Sequence, residues 1–156
     1  MVLTSCTNQD APVIVGVFTE KSVYEFVWHY HTALAEALEL KHGCVAWQKF
    51  WFQYHTPDFL FIRPSGNPLN LEGVMKQLSK GEITNYEEDV IMVDSIKLLG
   101  EQSTAVIVYR SETRFSYLGK TVEDTRTNTI VLVWHDGKPK ITSIQRSMGK
   151  DINATA

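Results

Sequence analysis

A change in periodicity near Tyr86 limits most strongly how this chain can fold. Beyond it, apolar and polar residues alternate with a period of two, which is typical of half-buried strands. Gly-containing turns divide this half into four predicted strands, at 86–99, 103–118, 121–135 and 139–148. Strands joined by such short turns pair antiparallel with their neighbours. The second half of the chain is therefore expected to form one antiparallel meander.

The first half of the chain carries helical signals instead. The stretch at 22–25 (SVYE) fits a capping box, which predicts a helix start at that serine, and apolar residues then recur at three- and four-residue steps. Val45–Tyr54 (VAWQKFWFQY) contains no helix breaker and predicts a second helix. A short strand is predicted at 58–63, followed by a third helix at Leu71–Leu78 that Asn70 caps.

Helices followed by a run of strands predict an α+β domain, with three N-terminal helices packed on a curved, mixed, mostly antiparallel sheet. A strongly twisted sheet wrapped about helices encloses a cone, and polar side chains on its concave face mark a candidate pocket. A chain of 156 residues with 44% hydrophobic content suits one such domain. The predicted boundaries are an N-terminal segment at 1–18, the domain at 19–149 and a C-terminal tail at 150–156.

The charge balance argues against polyanionic partners. The chain has 15 basic and 18 acidic residues, a formal net charge of -3, and its basic residues are scattered. Neither nucleic acid nor a membrane surface is therefore an expected partner. No apolar run approaches the roughly 20 residues that span a bilayer.

Cysteine and histidine usage points away from disulfide and metal chemistry. Cys6 and Cys44 form neither a framework nor a C-x-x-C pair, so a reducing, cytoplasmic compartment is expected. Leu3-Thr4-Ser5-Cys6 has the look of a lipoprotein cleavage box, which would matter only if a leader preceded it. No zinc-binding histidine motif and no nucleotide-binding loop is present, so we expect no metal and no cofactor.

The last predicted strand raises the main chemical question. Its alternation places Arg146 on the same face as the apolar Ile144. A buried guanidinium is unfavourable unless its donors find partners. Two interpretations stay open: exposure or an internal ion pair with Glu112, Asp58 or Glu88, or an anionic ligand gripped by the planar fork of the guanidinium.

Four residues are candidate proton carriers: Asp58, His31, Tyr24 and Tyr54. Tyr24, Trp28 and His31 recur along one edge of the first helix. They are packing residues in one interpretation, and ligand contacts and proton carriers beside a carbonyl in the other. Asp58 is either a general base whose pKa burial raises or a turn cap.

The order helix, helix, strand, helix and four strands, over residues 20 to 149, resembles the NTF2-like superfamily. That superfamily includes ketosteroid isomerases, SnoaL-like polyketide cyclases and the association domain of calcium/calmodulin-dependent kinase. The strand motifs are most similar to the association domain, at Tyr109-Arg110, at Trp134-His135 closed by Asp-Gly-Lys, and at Gln145-Arg146-Ser147. The segment 57–68 (PDFLFIRPSGNP) also looks like SnoaL-like and DUF4440-type members.

The resemblance implies that Arg110 and Arg146 point into a conical pocket and bind a carboxylate or a similar anion. Trp28, Glu112 and Trp134 complete the predicted ligand-binding set.

Two departures limit what the resemblance implies. Ketosteroid isomerases carry an aspartate base near the position of Arg63, so steroid isomerisation is not expected. The similar iota-type carbonic anhydrases carry paired histidines and a serine near the last strand, and this chain keeps only Ser147.

Three functional hypotheses follow. The leading one is a stand-alone domain, homodimeric through the exposed sheet face, that binds a small anionic or carbonyl-bearing molecule. The first alternative is a lyase, isomerase or hydrolase that uses general acid–base catalysis. The second is an oligomerisation scaffold similar to the kinase association domain. Whether the chain is an enzyme stays open at this point.

Overall fold

The computed structural model describes residues 16–148. The Cys6 motif and the predicted tail at 150–156 lie outside this range. In chain order the elements are α1 (Glu20–Leu38), α2 (Val45–Tyr54), β1 (His55–Ile62), β2 (Pro68–Asn70), α3 (Leu71–Leu78), β3 (Ile83–Leu99), β4 (Thr104–Tyr117), β5 (Lys120–His135) and β6 (Lys138–Met148). Within the described range, no helix is long and apolar enough to cross a membrane.

The helices form where their local signals predict them, with one correction. The bounds of α2 and α3 are confirmed, and Asn70 caps α3 by accepting a hydrogen bond from the Gly73 N–H at 2.8 Å. The predicted start of α1 at Ser22 is wrong. Thr19 is the capping residue, and Ser22 closes the capping box by accepting from the Thr19 N–H at 2.9 Å. Ser22 therefore does what the sequence pattern had attributed to Glu25.

The first two strands of the sheet differ from the prediction. β1 begins at His55 rather than at 58, because His55 pairs with Ile141 of β6. The short strand β2 was not predicted. It pairs antiparallel with β1, through Leu60 with Asn70.

The six strands form one sheet in the order β2-β1-β6-β5-β4-β3. All neighbours are antiparallel except β1 and β6, which are parallel. Register shifts along β3 mark bulges, which bend a strand and increase its twist. The predicted α+β class and the mixed, mostly antiparallel sheet are confirmed.

The core lies between the helices and the concave face of the sheet. On α1 the buried residues follow the helical repeat, from Val23 and Val27 to Leu34. On β4 every second residue is buried, including Ile107, and these side chains face the helices. At the other end of these strands the same alternation turns polar residues inward: Ser111 and Thr113 on β4, Asn128 on β5 and Arg146 on β6. The interior is therefore apolar at one end and polar toward the other.

Candidate ligand-binding cavity

A cavity of about 130 Å³ lies between the helices and the concave face of the sheet. Its lining residues are Tyr30, Leu34, Leu38, Trp51, His55, Phe59, Phe61, Val74, Leu78, Ile83, Tyr86, Phe115, Arg126, Ile144 and Arg146. Most of this wall is aliphatic or aromatic, and two arginines stand in it. Ligand pockets commonly combine a mainly apolar wall with a few polar groups in this way.

Arg146 is buried and has an internal acid as its partner. Its Nη2 lies 3.1 Å from Glu88 Oε2, and its Nη1 donates to the Tyr86 hydroxyl at 3.2 Å. The guanidinium carbon lies 5.9 Å from the centre of the Phe61 ring. Of the three acids that the sequence allowed as partners, the structure selects Glu88. Arg146 nevertheless lines the cavity, so the ion pair does not seal it away.

Glu88 is the centre of a buried polar network. Its carboxylate accepts hydrogen bonds from Ser111 Oγ at 2.7 Å and from the Tyr86 hydroxyl. The Nδ1 atom of His31 lies 2.9 Å from Oε2 of the same carboxylate. Burial alone would raise the pKa of Glu88, but Arg146 and His31 outweigh it and hold that pKa well below its ordinary value. The carboxylate is therefore ionised in the folded protein.

His31 reaches from α1 to β4 through this network. Its Nε2 lies 2.6 Å from the Tyr109 hydroxyl, on the side opposite Glu88. Burial and the nearby Glu88 charge raise the pKa of Tyr109, so that hydroxyl keeps its proton. His31 thus joins the helix layer to the sheet and is not among the lining residues of the cavity.

Tyr30 and His55 form a second polar pair, in the cavity wall itself. His55 Nδ1 lies 2.9 Å from the carbonyl oxygen of Trp51, which makes that nitrogen the donor. Nε2 is then an acceptor, so the Tyr30 hydroxyl donates to it at 2.9 Å. Burial lowers the pKa of His55 to about 4 and raises the pKa of Tyr30. Both side chains are therefore uncharged at neutral pH.

Arg126 is a cavity residue that sequence reasoning missed. Its Nη2 makes one long contact, 3.5 Å, with Asp124 Oδ2, and its guanidinium carbon lies 5.6 Å from the centre of the Phe115 ring. Arg126 lies two positions before Asn128 on β5, and both face the interior. Continuing the alternation backwards along β5 from the buried Ile130 would have found it.

Arg110 lies on the opposite face of the sheet from Arg146, in contrast to what the resemblance implied. It lies between the buried Tyr109 and Ser111, so the strand alternation turns it outward. There it pairs with Asp94, at 2.8 Å from Nη2 and 3.2 Å from Nε. Glu112 is exposed on the same outer face.

The remaining predicted residues also lie away from the cavity. Tyr24 and Trp28 are 42% and 45% exposed on α1. Asp58 is exposed and accepts a hydrogen bond from Thr56 Oγ1 at 2.6 Å, the main reason that its pKa is lowered. Tyr54 is half-buried against aromatic rings of α1 and α2, and Trp134 packs against Phe18 with ring centres 5.2 Å apart. Among residues 16–148, no cluster of His, Cys, Asp or Glu side chains is placed to hold a metal ion.

Three helices on a curved six-stranded sheet, with a cavity inside, define an NTF2-like protein, and solved structures of that class share this fold. The chain belongs to the family described as protein of unknown function DUF3804, whose model matches residues 31–155. No curated protein matches the chain.

Three solved structures share this fold with the chain. An NTF2-like protein of unknown function from Prochlorococcus is 32% identical, with a TM-score of 0.60, covering 77% of this chain and 93% of its own. A putative calcium/calmodulin-dependent kinase II association domain from Exiguobacterium sibiricum is 16% identical, with a TM-score of 0.65, covering 87% and 98%. A kinase II hub homology domain from Chlamydomonas reinhardtii is 18% identical, with a TM-score of 0.59, covering 82% and 96%. The last two, at this identity, bear on the fold alone.

Proposed function

We propose that this domain binds a small, largely apolar molecule with an anionic or carbonyl end in the cavity between helices and sheet. One observation carries the proposal. Three buried N–H donors belong to lining residues and have no hydrogen-bond partner among residues 16–148: Nε of Arg126, Nε of Arg146 and Nε1 of Trp51. An acceptor on a ligand would supply what these donors lack.

The energetics favour such a guest. Leaving a buried donor without an acceptor costs about 1–3 kcal/mol, so a guest that brought an acceptor to any of the three would offset that cost. An oxygen of a carboxylate, ketone or amide is a suitable acceptor, because it can receive two N–H groups at once. The body of the guest would contact the aliphatic wall formed by Leu34, Leu38, Val74 and Leu78.

Catalysis receives less support from the geometry than binding. Asp58, His31, Tyr24 and Tyr54, the candidate proton carriers, are not among the lining residues. The polar pair that does line the wall, Tyr30 with His55, is uncharged at neutral pH and internally hydrogen-bonded. We therefore propose a binding domain rather than an acid–base enzyme.

Filling the cavity tests the proposal. Val74 is 7% exposed and lines the cavity, whereas Val45 on α2 is 81% exposed and does not. A panel of small carboxylates, ketones and amides would be screened by thermal shift against wild type, Val74→Phe and the control Val45→Phe. We expect hits that stabilise wild type and Val45→Phe but not Val74→Phe. Hits that stabilise all three proteins equally would refute binding in this cavity.

A second proposal concerns self-association. The outward face of the sheet carries half-buried valines on adjacent strands, with Val106 opposite Val131 and Val108 nearby. The putative association domain and the hub homology domain compared above share the fold. We propose that this face joins two copies of the chain. Light scattering after size-exclusion chromatography should give a dimer for wild type and a monomer for Val108→Lys, and a wild-type monomer would refute it.

A further inference from the structure

We infer that Arg126 is the anion-binding residue of this cavity, and that the guest is a monocarboxylate about as bulky as one aromatic ring. This inference rests on the proposed binding function and goes beyond it by naming the anchor and the ligand class.

The two cavity arginines differ in how far their charges are already satisfied. Arg146 has Glu88 at 3.1 Å and Tyr86 at 3.2 Å, and Glu88 in turn accepts two further hydrogen bonds. That guanidinium is a fixed part of the buried network. A second anion beside Arg146 would have to compete with Glu88, a like charge in a weakly screened interior.

Arg126, unlike Arg146, is free to bind an added anion. It has one acidic contact, Asp124 at 3.5 Å, which is too long for a strong charge-assisted hydrogen bond. Its Nε is buried and has no partner in the described part of the chain. The guanidinium carbon lies 5.6 Å from the centre of the Phe115 ring. This cation–π contact provides no hydrogen-bond acceptor, so Nε keeps its donor capacity for a carboxylate.

The cavity volume sets the size of the guest. An apolar cavity of about 150 Å³ in a protein interior binds benzene, a molecule of about six non-hydrogen atoms. The cavity here, at about 130 Å³, is close to that size. Its wall includes the rings of Trp51, Phe59, Phe61 and Phe115, which favour offset or edge contacts with an aromatic guest.

Charge further restricts the guest to one carboxylate. Besides Arg126 and the Glu88-paired Arg146, the lining residues include no cation, since His55 is uncharged at neutral pH. A second carboxylate on the guest would therefore be buried without a counter-ion, which is strongly unfavourable. We expect benzoate to bind and terephthalate, its para-dicarboxylate, not to bind.

The test compares benzoate with its neutral isostere benzamide by isothermal titration calorimetry at constant salt. The proteins are wild type, Arg126→Gln, Arg126→Lys and the control Arg114→Gln. Arg114 is the matched control because it lies on the neighbouring strand, pairs with Glu123 and is 65% exposed. We expect Arg126→Gln to weaken benzoate binding by about tenfold or more, the effect of one charge-assisted contact. Arg126→Lys should retain part of the affinity, and Arg114→Gln should retain all of it.

The outcomes distinguish the role of Arg126 from the proposed binding in the cavity. Benzamide should bind wild type and Arg126→Gln alike, which also shows that the variant is folded. If Arg126→Gln binds benzoate as tightly as wild type, while Val74→Phe does not bind it, the anchor assignment is refuted and the proposed cavity function stands. If terephthalate binds as well as benzoate, the monocarboxylate class is refuted. If benzoate fails to bind wild type while neutral carbonyl compounds bind, the inference fails and the proposed function survives.

Discussion

The buried ion pair between Glu88 and Arg146 allows a quantitative test of the interior. The change is Glu88→Gln, which keeps the shape of the side chain and removes its charge. Arg146 is then left buried without its anionic partner, with the Tyr86 hydroxyl and a neutral amide oxygen as its acceptors among the described residues. Removing one member of a buried pair costs about 3–5 kcal/mol, because the other charge stays desolvated without compensation. That loss is a large fraction of the roughly 5–15 kcal/mol that stabilises a typical domain.

Urea unfolding followed by tryptophan fluorescence measures this loss. At a slope of about 2 kcal/mol per M, the midpoint of Glu88→Gln should fall by roughly 2 M urea. The matched control is Glu112→Gln, an exposed glutamate on the outer face of the same sheet, whose midpoint should not change. The double variant Glu88→Met with Arg146→Met should recover most of the loss, since apolar residues can replace a buried pair. A loss below about 1 kcal/mol in Glu88→Gln would refute the buried ion pair.

The same carboxylate predicts a pH dependence with a definite sign. The pKa of Glu88 is lower in the folded protein than its ordinary value of 4.5, so the unfolded chain binds the proton first as pH falls. The pair therefore contributes its full stability above about pH 4.5 and loses it progressively below, by up to about 1.4 kcal/mol per pH unit. In Glu88→Gln this part of the decrease in unfolding free energy at acid pH should be absent. If the unfolding free energy of wild type and of Glu88→Gln changed equally with pH, the ionised state of Glu88 would be contradicted.

Three further predictions concern other parts of the fold. The pKa of His55 falls from 6.5 to about 4 on folding, so stability should decrease by about 3 kcal/mol as pH falls between these values. That decrease should vanish in His55→Gln and persist in the exposed-site control His29→Gln. Asn70→Ala should cost about 1 kcal/mol by removing the cap of α3, measured by thermal unfolding against Asn67→Ala. Arg110→Gln should leave both the unfolding midpoint and benzoate affinity unchanged, because its pair with Asp94 lies outside the cavity; a change in affinity would contradict the orientation of β4.

How well the sequence predicted each element depended on how local its signal is. The second and third helices were predicted with their observed bounds, because an unbroken VAWQKFWFQY run and an Asn cap act within one or two turns. The predicted start of α1 was wrong because this stretch offers two overlapping capping boxes. The helix uses the pair Thr19 and Ser22, which satisfy each other's backbone N–H groups, rather than the pair Ser22 and Glu25. β2 could not be predicted, because a three-residue segment that begins with a proline acquires strand character only by pairing with β1.

The sequence predicted one of the two arginines of the candidate site, Arg146, and missed the other, Arg126. Arg146 could be recognised because Ile144 on the same face of β6 is apolar and marks that face as internal. In the first part of β5 (KTVEDTRTNT) polar residues predominate on both faces, so Arg126 has no apolar neighbour comparable to Ile144 and is found only by counting back from the buried Ile130. The choice of Glu88 over Glu112 or Asp58 depends on tertiary geometry that no short-range pattern encodes.

The parallel pairing of β1 with β6 has a consequence for how the protein is made. His55 and its partner Ile141 are separated in the chain by β2, α3, β3, β4 and β5, so β1 can pair with β6 only after all of these elements have been synthesised. Until then the nascent chain holds Glu88 without its guanidinium and β1 without its long neighbour. Such distant pairing slows folding, because the entropy of closing the intervening chain is lost before the contact forms. When β6 pairs with β1 it therefore joins the two parts of the sheet, brings Arg146 to the charge of Glu88 and adds Ile144 and Arg146 to the cavity wall.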